Sequence, residues 1–286
     1  MDRDTIIGVD LGGTKVSVGA VRGSQVARIV TRPIPAQASA EVILDRVTDT
    51  IAEVVDETVV GMGVGVPSVV DVAEGIIRRT SNIPSWKEIH LRTALEKRFG
   101  VPAWINNDAN AFVVGEHVFG AARGCDHAVG LTLGTGLGTG VIVNGRLYNG
   151  ANCGAGELGV MAYRGGRLED WCAAPFFRRE AGISGEVLHE RAREGDAAAL
   201  DAFRDYGREL AEGVKIALYA YDPEILVFGG SIASAFDLFE GALREGLADF
   251  KYPHIIERVK ITASKLKNAA VLGAAALHVD ATRGGL

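Results

Sequence analysis

The sequence is poor in cysteine, lacks long apolar runs and has no excess of positive charge, and each absence argues against a class of protein. Its three cysteines, Cys125, Cys153 and Cys172, form no CxC or CxxC pair, which argues against a disulfide framework or a cysteine-rich zinc site. No apolar run reaches about 18 residues, so no membrane span is expected. The net charge of −6, with no Lys/Arg cluster to offset it, argues against a nucleic-acid partner.

What the sequence does contain is an alternation of strand and helix patterns, which is typical of an α/β protein. Its 286 residues, 48% hydrophobic and 23% charged, predict a globular protein of about two domains. The first residues lead directly into a strand without the plan of a signal peptide, and a reducing cytoplasm is therefore expected. Apolar residues at helical spacing predict helices at 41–57, 91–99, 109–119, 168–181, 184–193, 201–221 and 269–279.

One internal repeat indicates a duplicated architecture. Residues 9–14, Val-Asp-Leu-Gly-Gly-Thr, align without gaps with residues 131–136, Leu-Thr-Leu-Gly-Thr-Gly, and each segment lies between two apolar strands. Two similar units predict two similar domains that face one another across a cleft. The alternative is two unrelated glycine-rich hairpins.

The two glycine-rich turns predict a phosphate site. Glycine accepts positive φ and leaves backbone N–H groups accessible to a ligand, and a series of such groups forms an anion site. Neither turn matches a P-loop or a dinucleotide fingerprint, because each is followed by a strand. Asp10 at a strand end suits Mg²⁺ with phosphate oxygens, and Thr14 and Lys15 are candidate phosphate donors. The alternative is that Asp10 caps its own turn.

These segments together resemble the ROK family of repressors, open reading frames and kinases. The resemblance rests on residues 10–15 (Asp-Leu-Gly-Gly-Thr-Lys), 107–110 (Asn-Asp-Ala-Asn) and 133–140 (Leu-Gly-Thr-Gly-Leu-Gly-Thr-Gly). Shorter motifs at 63–67, 156–159 and 228–231 fall in the family's order, so it covers nearly the whole chain.

The resemblance implies an α/β, two-domain actin-like ATPase fold, a duplicated ribonuclease H-like unit with a cleft between the domains. The smaller N-terminal domain would span 1–110 plus 270–286, and the larger C-terminal domain 111–269. It also implies ATP and Mg²⁺ as cofactors and a homodimer. The implied ATP-binding residues are Asp10 (also the Mg²⁺ ligand, through water), Gly12, Gly13, Thr14, Lys15, Gly134, Thr135, Gly136 and Gly138, with Gly229 and Gly230 beside the adenosine.

For the sugar, the resemblance implies Asn107, Asp108, Glu157 and Glu169, with Asn82 and the backbone near Gly65 as further candidates. Asp108 stands between a strand and a helix, where a carboxylate can accept the proton of a sugar hydroxyl as general base. The alternative for Asp108 is a helix N-cap, a role that Asn107 can also fill. Glu169 has the alternative of an ordinary solvated acid, and the three tryptophans are expected in the core rather than on the sugar.

Two departures from the family pattern leave the sugar open. Val160 stands where many members have a histidine that touches the sugar and binds zinc. The cysteine-rich zinc loop is also missing, since only eleven residues separate Glu157 from Glu169, and no zinc site is expected. Glucose, phosphorylated on its 6-hydroxyl, is the first expectation, followed by N-acetylmannosamine, N-acetylglucosamine, fructose and allose.

Two functions other than a kinase are consistent with the same fold. The first is a non-catalytic sugar-sensing regulator, although the strand that carries Asp10 begins almost at once and no basic recognition helix precedes it. The second is an ATPase chaperone or filament protein, a class that is generally longer. Both phosphate turns together with Asp108 favour the kinase.

Overall fold

The computed structural model describes residues 4–80 and 82–283 and contains two five-stranded sheets. The strands are β1 (Thr5–Leu11), β2 (Lys15–Arg22), β3 (Gln25–Pro33), β4 (Val59–Val66), β5 (Ser68–Asp71), β6 (Ile76–Thr80), β7 (Lys87–His90), β8 (Ala103–Asn107), β9 (Ala128–Leu133), β10 (Leu137–Val143), β11 (Arg146–Leu147), β12 (Ala162–Tyr163), β13 (Gly166–Arg167), β14 (Ile225–Gly229) and β15 (Lys260–Ala263). The α-helices are α1 (Ala40–Ala52), α2 (Leu91–Phe99), α3 (Asp108–Phe119), α4 (Glu169–Cys172), α5 (Ala174–Ala181), α6 (Gly185–Arg193), α7 (Ala197–Tyr221), α8 (Phe236–Gly246), α9 (Pro253–Arg258) and α10 (Ala269–Thr282).

The two sheets have the same topology. The first has the order β3-β2-β1-β4-β8 and the second the order β11-β10-β9-β14-β15. In each sheet the first three strands along the chain form an antiparallel meander, and the last two join it in parallel. Leu11 and Leu133, which the sequence repeat aligns, end the central strand of each sheet. The duplication is thereby confirmed, and the chain has the two-domain actin-like ATPase fold.

Helices α3 and α10 cross between the two sheets at glycines. A Cβ on Gly63 of β4 would lie 1.8 Å from the Ala274 carbonyl oxygen of α10. A Cβ on Gly140 of β10 would lie 2.4 Å from the Ala109 carbonyl oxygen of α3. The two helices also meet at a glycine, because a Cβ on Gly273 would lie 2.5 Å from the Ala111 carbonyl oxygen. These close approaches fix the start of α3, where the candidate base lies.

Several predicted helix limits need correction. The helix predicted at 168–181 is two helices, because Ala173 is extended (φ −140°, ψ −169°) and Pro175, in the first turn of α5, has no N–H with which to continue the helix from α4. The Ala174 N–H, released by this break, donates to the Gly134 carbonyl in the second glycine turn (2.9 Å). The helix predicted at 201–221 begins earlier, at Ala197, since Asp196 caps it. The helix predicted at 41–57 ends at Ala52.

The division into domains 1–110 with 270–286 and 111–269 stays a prediction. These limits include residues 1–3, 81 and 284–286, which lie outside the described residues. No helix among residues 4–80 and 82–283 combines the length and the apolar character that crossing a membrane requires.

Candidate active site

Asp108 is the first residue of α3, directly after the end of β8. The N-cap is Asn107, whose side-chain oxygen accepts hydrogen bonds from the N–H groups of Ala109 (2.8 Å) and Asn110 (3.4 Å). The Ala109 N–H is shared with Asp108 Oδ1 at 2.9 Å. Asn107 therefore serves the capping role that the sequence allowed for either residue, and the Asp108 carboxylate is left open on the cleft side.

The surroundings of Asp108 suit a general base. Although part of its surface remains open to the cleft, the crowding of protein atoms around the carboxylate raises its pKa to about 6. The negative charges of Asp10 and Glu157 raise it further, and the Ala109 N–H opposes the shift. Asp10 and Glu157 therefore each lie close enough to Asp108 to raise its pKa.

Asp10 lies at the end of β1, opposite Ser17 in β2 and Gly65 in β4. Within the described residues its carboxylate has neither a hydrogen bond nor an ion pair. Burial raises the pKa of this carboxyl, and the nearby Lys15 ammonium opposes the rise. A partly buried carboxylate without a partner fits a hydrated Mg²⁺, which would supply the missing positive charge. Asp10 does not cap its own turn.

The backbone of the two glycine turns differs from the positive-φ conformation that was expected of their glycines. All five turn glycines, at 12, 13, 134, 136 and 138, are described, and none has positive φ. The Gly12 N–H donates to the Lys15 carbonyl (2.9 Å), and the Gly134 N–H donates to the Gly136 carbonyl (3.1 Å). What these positions need is space. A Cβ on Gly13 would lie 2.5 Å from Asn82 Cβ, and one on Gly136 would lie 2.6 Å from Glu169 Oε2.

Each turn therefore has one sugar-site candidate packed against it. Asn82, which is exposed, lies over Gly13 in the first turn, while the Glu169 carboxylate lies over Gly136 in the second. Gly65 is buried between Asp10 and Asn106 in the first sheet, and its Cα hydrogen faces α3, since an added Cβ would lie 3.6 Å from Asp108 Cα. Thr14, Lys15 and Thr135 are exposed at the turns.

Glu157 is held beside β10 by the glycines that flank it. Gly156 has φ +87°, and a Cβ there would lie 2.5 Å from the Thr139 carbonyl oxygen. A Cβ on Gly159 would lie 2.4 Å from the Leu137 carbonyl oxygen. Only glycine permits this approach, which leaves the Glu157 side chain exposed in the cleft. Partial burial and the charge of Glu169 raise the pKa of Glu157.

Glu169 is paired with a cation that the sequence pattern did not indicate. The Arg167 guanidinium lies 2.9 Å from Glu169 Oε1. Arg167 also donates its backbone N–H to Asp170 (2.8 Å). This ion pair holds the Glu169 carboxylate, which is 18% exposed, beside the Arg167 guanidinium. The interpretation of Glu169 as an ordinary solvated acid is therefore wrong.

A cavity of about 400 Å³ opens beside the second glycine turn. Gly134 and Thr135 form one wall, and the opposite walls come from α5, α6 and the segment after β14. Its size and position fit a nucleoside joined to phosphates at the turn. Sequence reasoning missed most of the lining residues, which include Phe177, Arg178, His189, Ser231 and Ile232.

The turn that follows β14 lies behind this cavity. Gly230 has φ +82° and packs on the Leu133 carbonyl, while a Cβ on Gly229 would lie 2.4 Å from the Phe112 ring. The two glycines therefore place the next residues, from Ser231 onward, on the cavity wall. Gly229 and Gly230 themselves are not among the described residues that line the cavity.

The family model described as the ROK family matches residues 6–281. The chain belongs to the ROK family. It is 36% identical to a glucokinase from Thermotoga maritima over 97% of this chain and 98% of that protein. A ROK family glucokinase from Streptomyces griseus, solved with glucose and AMPPNP, superposes with a TM-score of 0.81 at 28% identity and covers 96% of this chain and 98% of its own.

Repressors occur among the relatives as well. A xylose repressor from Bacillus spizizenii is 27% identical over 77% of this chain and 61% of its own length. The glucokinases from Thermotoga maritima and Streptomyces griseus, in contrast, match 97% and 96% of this ROK chain and 98% of their own length. By this similarity the chain is an ATP-dependent sugar kinase, and the two glycine turns and the open carboxylate of Asp108 agree with that activity.

The stretch in which this ROK protein departs from the family pattern forms a short hairpin, β12 and β13. Its turn residue Arg164 pairs with Glu209 of α7 (2.7 Å). The guanidinium groups of Arg179 (3.6 Å from the ring centroid) and Arg164 (4.9 Å) both lie over the Trp171 ring. Such stacking stabilises the hairpin in addition to its backbone pairing. Val160 is 54% exposed just ahead of it, and the absence of zinc here stays a prediction.

Proposed function

We propose that this protein transfers the γ-phosphoryl group of ATP to a hexose, with glucose and its 6-hydroxyl as first choice and Asp108 as general base. The observation that carries the proposal is the environment of the Asp108 carboxylate. Asn107 caps the helix, so the carboxylate is available to a substrate, and burial raises its pKa to about 6. A base in that range is ionised at neutral pH yet retains affinity for a proton.

The residues around Asp108 have complementary tasks. The Asp108 carboxylate accepts the proton of the sugar hydroxyl as that oxygen attacks the γ-phosphorus, and ADP leaves. N–H groups at the two glycine turns, with Lys15, bind phosphate oxygens. Asp10 would hold Mg²⁺, which when bound neutralises charge on the phosphates. Closure of the two domains excludes water, which limits wasteful ATP hydrolysis.

Glu157 and Glu169 are proposed to select the sugar. Each ionised carboxylate can accept hydrogen bonds from two neighbouring hydroxyls, and a fixed carboxylate rejects a sugar that lacks the matching hydroxyl. The glucokinases among the relatives support glucose. A putative N-acetylmannosamine kinase from Listeria monocytogenes, with TM-score 0.80 and 26% identity, supports an N-acetylhexosamine as the next candidate, and fructose and allose follow.

A substrate panel tests this proposal. Wild-type protein would be assayed for ADP release with glucose, mannose, fructose, allose, N-acetylglucosamine and N-acetylmannosamine, each with Mg²⁺ and ATP. We expect the highest kcat/KM with glucose and formation of its 6-phosphate. ADP release that no hexose stimulates would refute the function. We also propose a homodimer, which rests on the family resemblance alone, and a cytoplasmic location, which rests on the few, unpaired cysteines and on the first residues of the sequence.

Glu157→Gln is expected to weaken sugar binding far more than ATP binding. Loss of charge-assisted hydrogen bonds worth about 1.5–3 kcal/mol corresponds to a rise of roughly 10- to 100-fold in the KM for the sugar. Glu257→Gln, an exposed acid in α9, is the control. Calorimetry that finds equal sugar affinity in the two variants would count against the role of Glu157.

Asp10→Asn keeps the shape of the side chain and removes its charge. Since Mg²⁺ prefers carboxylate ligands, half-maximal activity is expected to need at least about tenfold more Mg²⁺, with a lower kcat at saturation. Asp4→Asn, just ahead of the other end of β1, is the matched control. A titration of activity with Mg²⁺ checks the prediction, and coincident curves for the two variants would exclude Asp10 as the ligand.

A further inference from the structure

A largely buried polar cluster lies directly behind Asp108 and joins parts of the two sheets. Its members are Asn106 at the end of β8, Asn110 in α3, and Asn149 and Cys153 in the loop after β11. Asn106 is 4% exposed, Asn110 is 2% exposed and Cys153 is 4% exposed. The loop, residues 148–156, leads directly to Glu157.

Asn106 connects the cluster to the segment that carries the base. Its Oδ1 accepts from the N–H of Asn107 (2.8 Å), from Asn110 Nδ2 (2.9 Å) and from the Cys153 thiol (3.4 Å). Its Nδ2 donates to Asn149 Oδ1 (2.8 Å). The amide therefore fixes the backbone of Asn107, and Asn107 in turn caps the helix that begins at Asp108.

The loop is attached to the first sheet although it follows an edge strand of the second. Cys153 is buried with the hydrophobic residues that surround the first sheet. Its backbone has φ +57°, a left-handed conformation that a non-glycine residue keeps only when its surroundings hold it there. The loop is closed at its base by the Ala155 N–H, which donates to the Asn149 carbonyl (3.2 Å).

We propose that Asn106, Asn149 and Cys153 are positioning residues, which hold the loop before Glu157 in register with the segment that carries Asp108. The inference rests on the proposed roles of these two carboxylates. Because buried hydrogen bonds in a connected network reinforce one another, the loss of one member is expected to loosen the loop. Asn149 and Cys153 would not contact the sugar themselves. They would set the distance between the Asp108 and Glu157 carboxylates, which do contact it.

Kinetics of matched variants test the proposal. Asn149→Ala is compared with Asn152→Ala, an exposed asparagine of the same loop for which the described residues offer no hydrogen bond. We expect Asn149→Ala to raise the KM for the sugar and to lower kcat, each at least about fivefold, with the KM for ATP unchanged. Cys153→Ser, which keeps a hydrogen-bond donor, should retain more activity than Cys153→Ala. Equal constants for the Asn149 and Asn152 variants, or equal losses in the two Cys153 variants, would overturn it.

Thiol labelling gives a readout that needs no turnover. In a Cys125→Ser background the remaining thiols are Cys153 and Cys172, and burial raises the pKa of Cys172 to about 12, which keeps it unreactive. A disulfide reagent such as DTNB should then modify Cys153 at least about tenfold faster in Asn149→Ala than in Asn152→Ala. Equal rates would refute the network even if the protein phosphorylates a hexose. Faster labelling without sugar phosphorylation would leave the network intact and refute the proposed function.

Discussion

Asp108→Ala is expected to lower kcat by about 10²–10⁴-fold, because the sugar hydroxyl then has no positioned group to accept its proton. Binding of ATP should persist, since the glycine turns and the cavity beside α5 and α6 do not depend on the Asp108 carboxylate. Capping of α3 should persist as well, because the cap is Asn107. Steady-state ADP release measures the loss, and calorimetry with a non-hydrolysable ATP analogue checks the retained binding.

The same position offers a test based on stability. Folding raises the Asp108 pKa from its ordinary value of 3.8 to about 6, so the folded protein binds this proton more tightly than the unfolded chain. Stability from this group is therefore full at low pH and is lost as pH rises through about 6. Asp108→Asn, which cannot ionise, should melt at a higher temperature than wild type at pH 7 while remaining inactive. A lower melting temperature would contradict this account of the carboxylate.

Gly63→Ala is expected to destabilise the protein by about 3 kcal/mol or more, at the upper end for an overpacked core. The added Cβ would lie 1.8 Å from the Ala274 carbonyl oxygen and 2.8 Å from its carbon. Both are backbone atoms of α10, so no side-chain rotation relieves the clash and the helix itself must move. Thermal or denaturant unfolding measures the effect, which is a large part of a typical stability of about 5–15 kcal/mol.

Gly241→Ala is the matched control for this prediction. Gly241 lies within α8, and apart from its chain neighbours and the adjacent backbone of that helix, no atom of the described residues comes within 4 Å of the position of an added Cβ. Alanine should therefore stabilise the protein by about 0.5–1 kcal/mol through its better helix propensity. Equal stability of the Gly63 and Gly241 variants would mean that α10 is not packed against β4 as described.

The fold was largely predictable because its signals are local and repeated. Each glycine turn lies between two apolar strands, and the ungapped match of residues 9–14 with 131–136 marks the duplication. The junction of strand and helix at Asn107 and Asp108 is equally local. The break at Ala173 was missed because it depends on a distant acceptor, the Gly134 carbonyl, as well as on Pro175.

The details of the site depend on contacts that sequence spacing does not specify. The turn glycines were expected to adopt positive φ, but glycine is needed there because a larger residue would collide with a neighbouring side chain. Gly13 leaves room for Asn82, which lies 69 residues further along the chain. Gly136 leaves room for Glu169, 33 residues further along. The ion pair of Arg167 with Glu169 depends on the hairpin turn between β12 and β13. The cluster of Asn106, Asn149 and Cys153 matches no sequence motif, because its hydrogen bonds link residues that are far apart in the chain. Asn149 and Cys153 lie 43 and 47 residues after Asn106, to which both are bonded.

The pH dependence of kcat/KM for the sugar, at saturating ATP and Mg²⁺, tests the central claim most directly. If Asp108 takes the proton, the wild-type rate should fall about tenfold per pH unit below an apparent pKa between 3.8 and about 6, with bound Mg²⁺ favouring the lower part of that range. The residual rate of Asp108→Ala should show no such decline over the same range. An identical decline in the variant would show that another group accepts the proton.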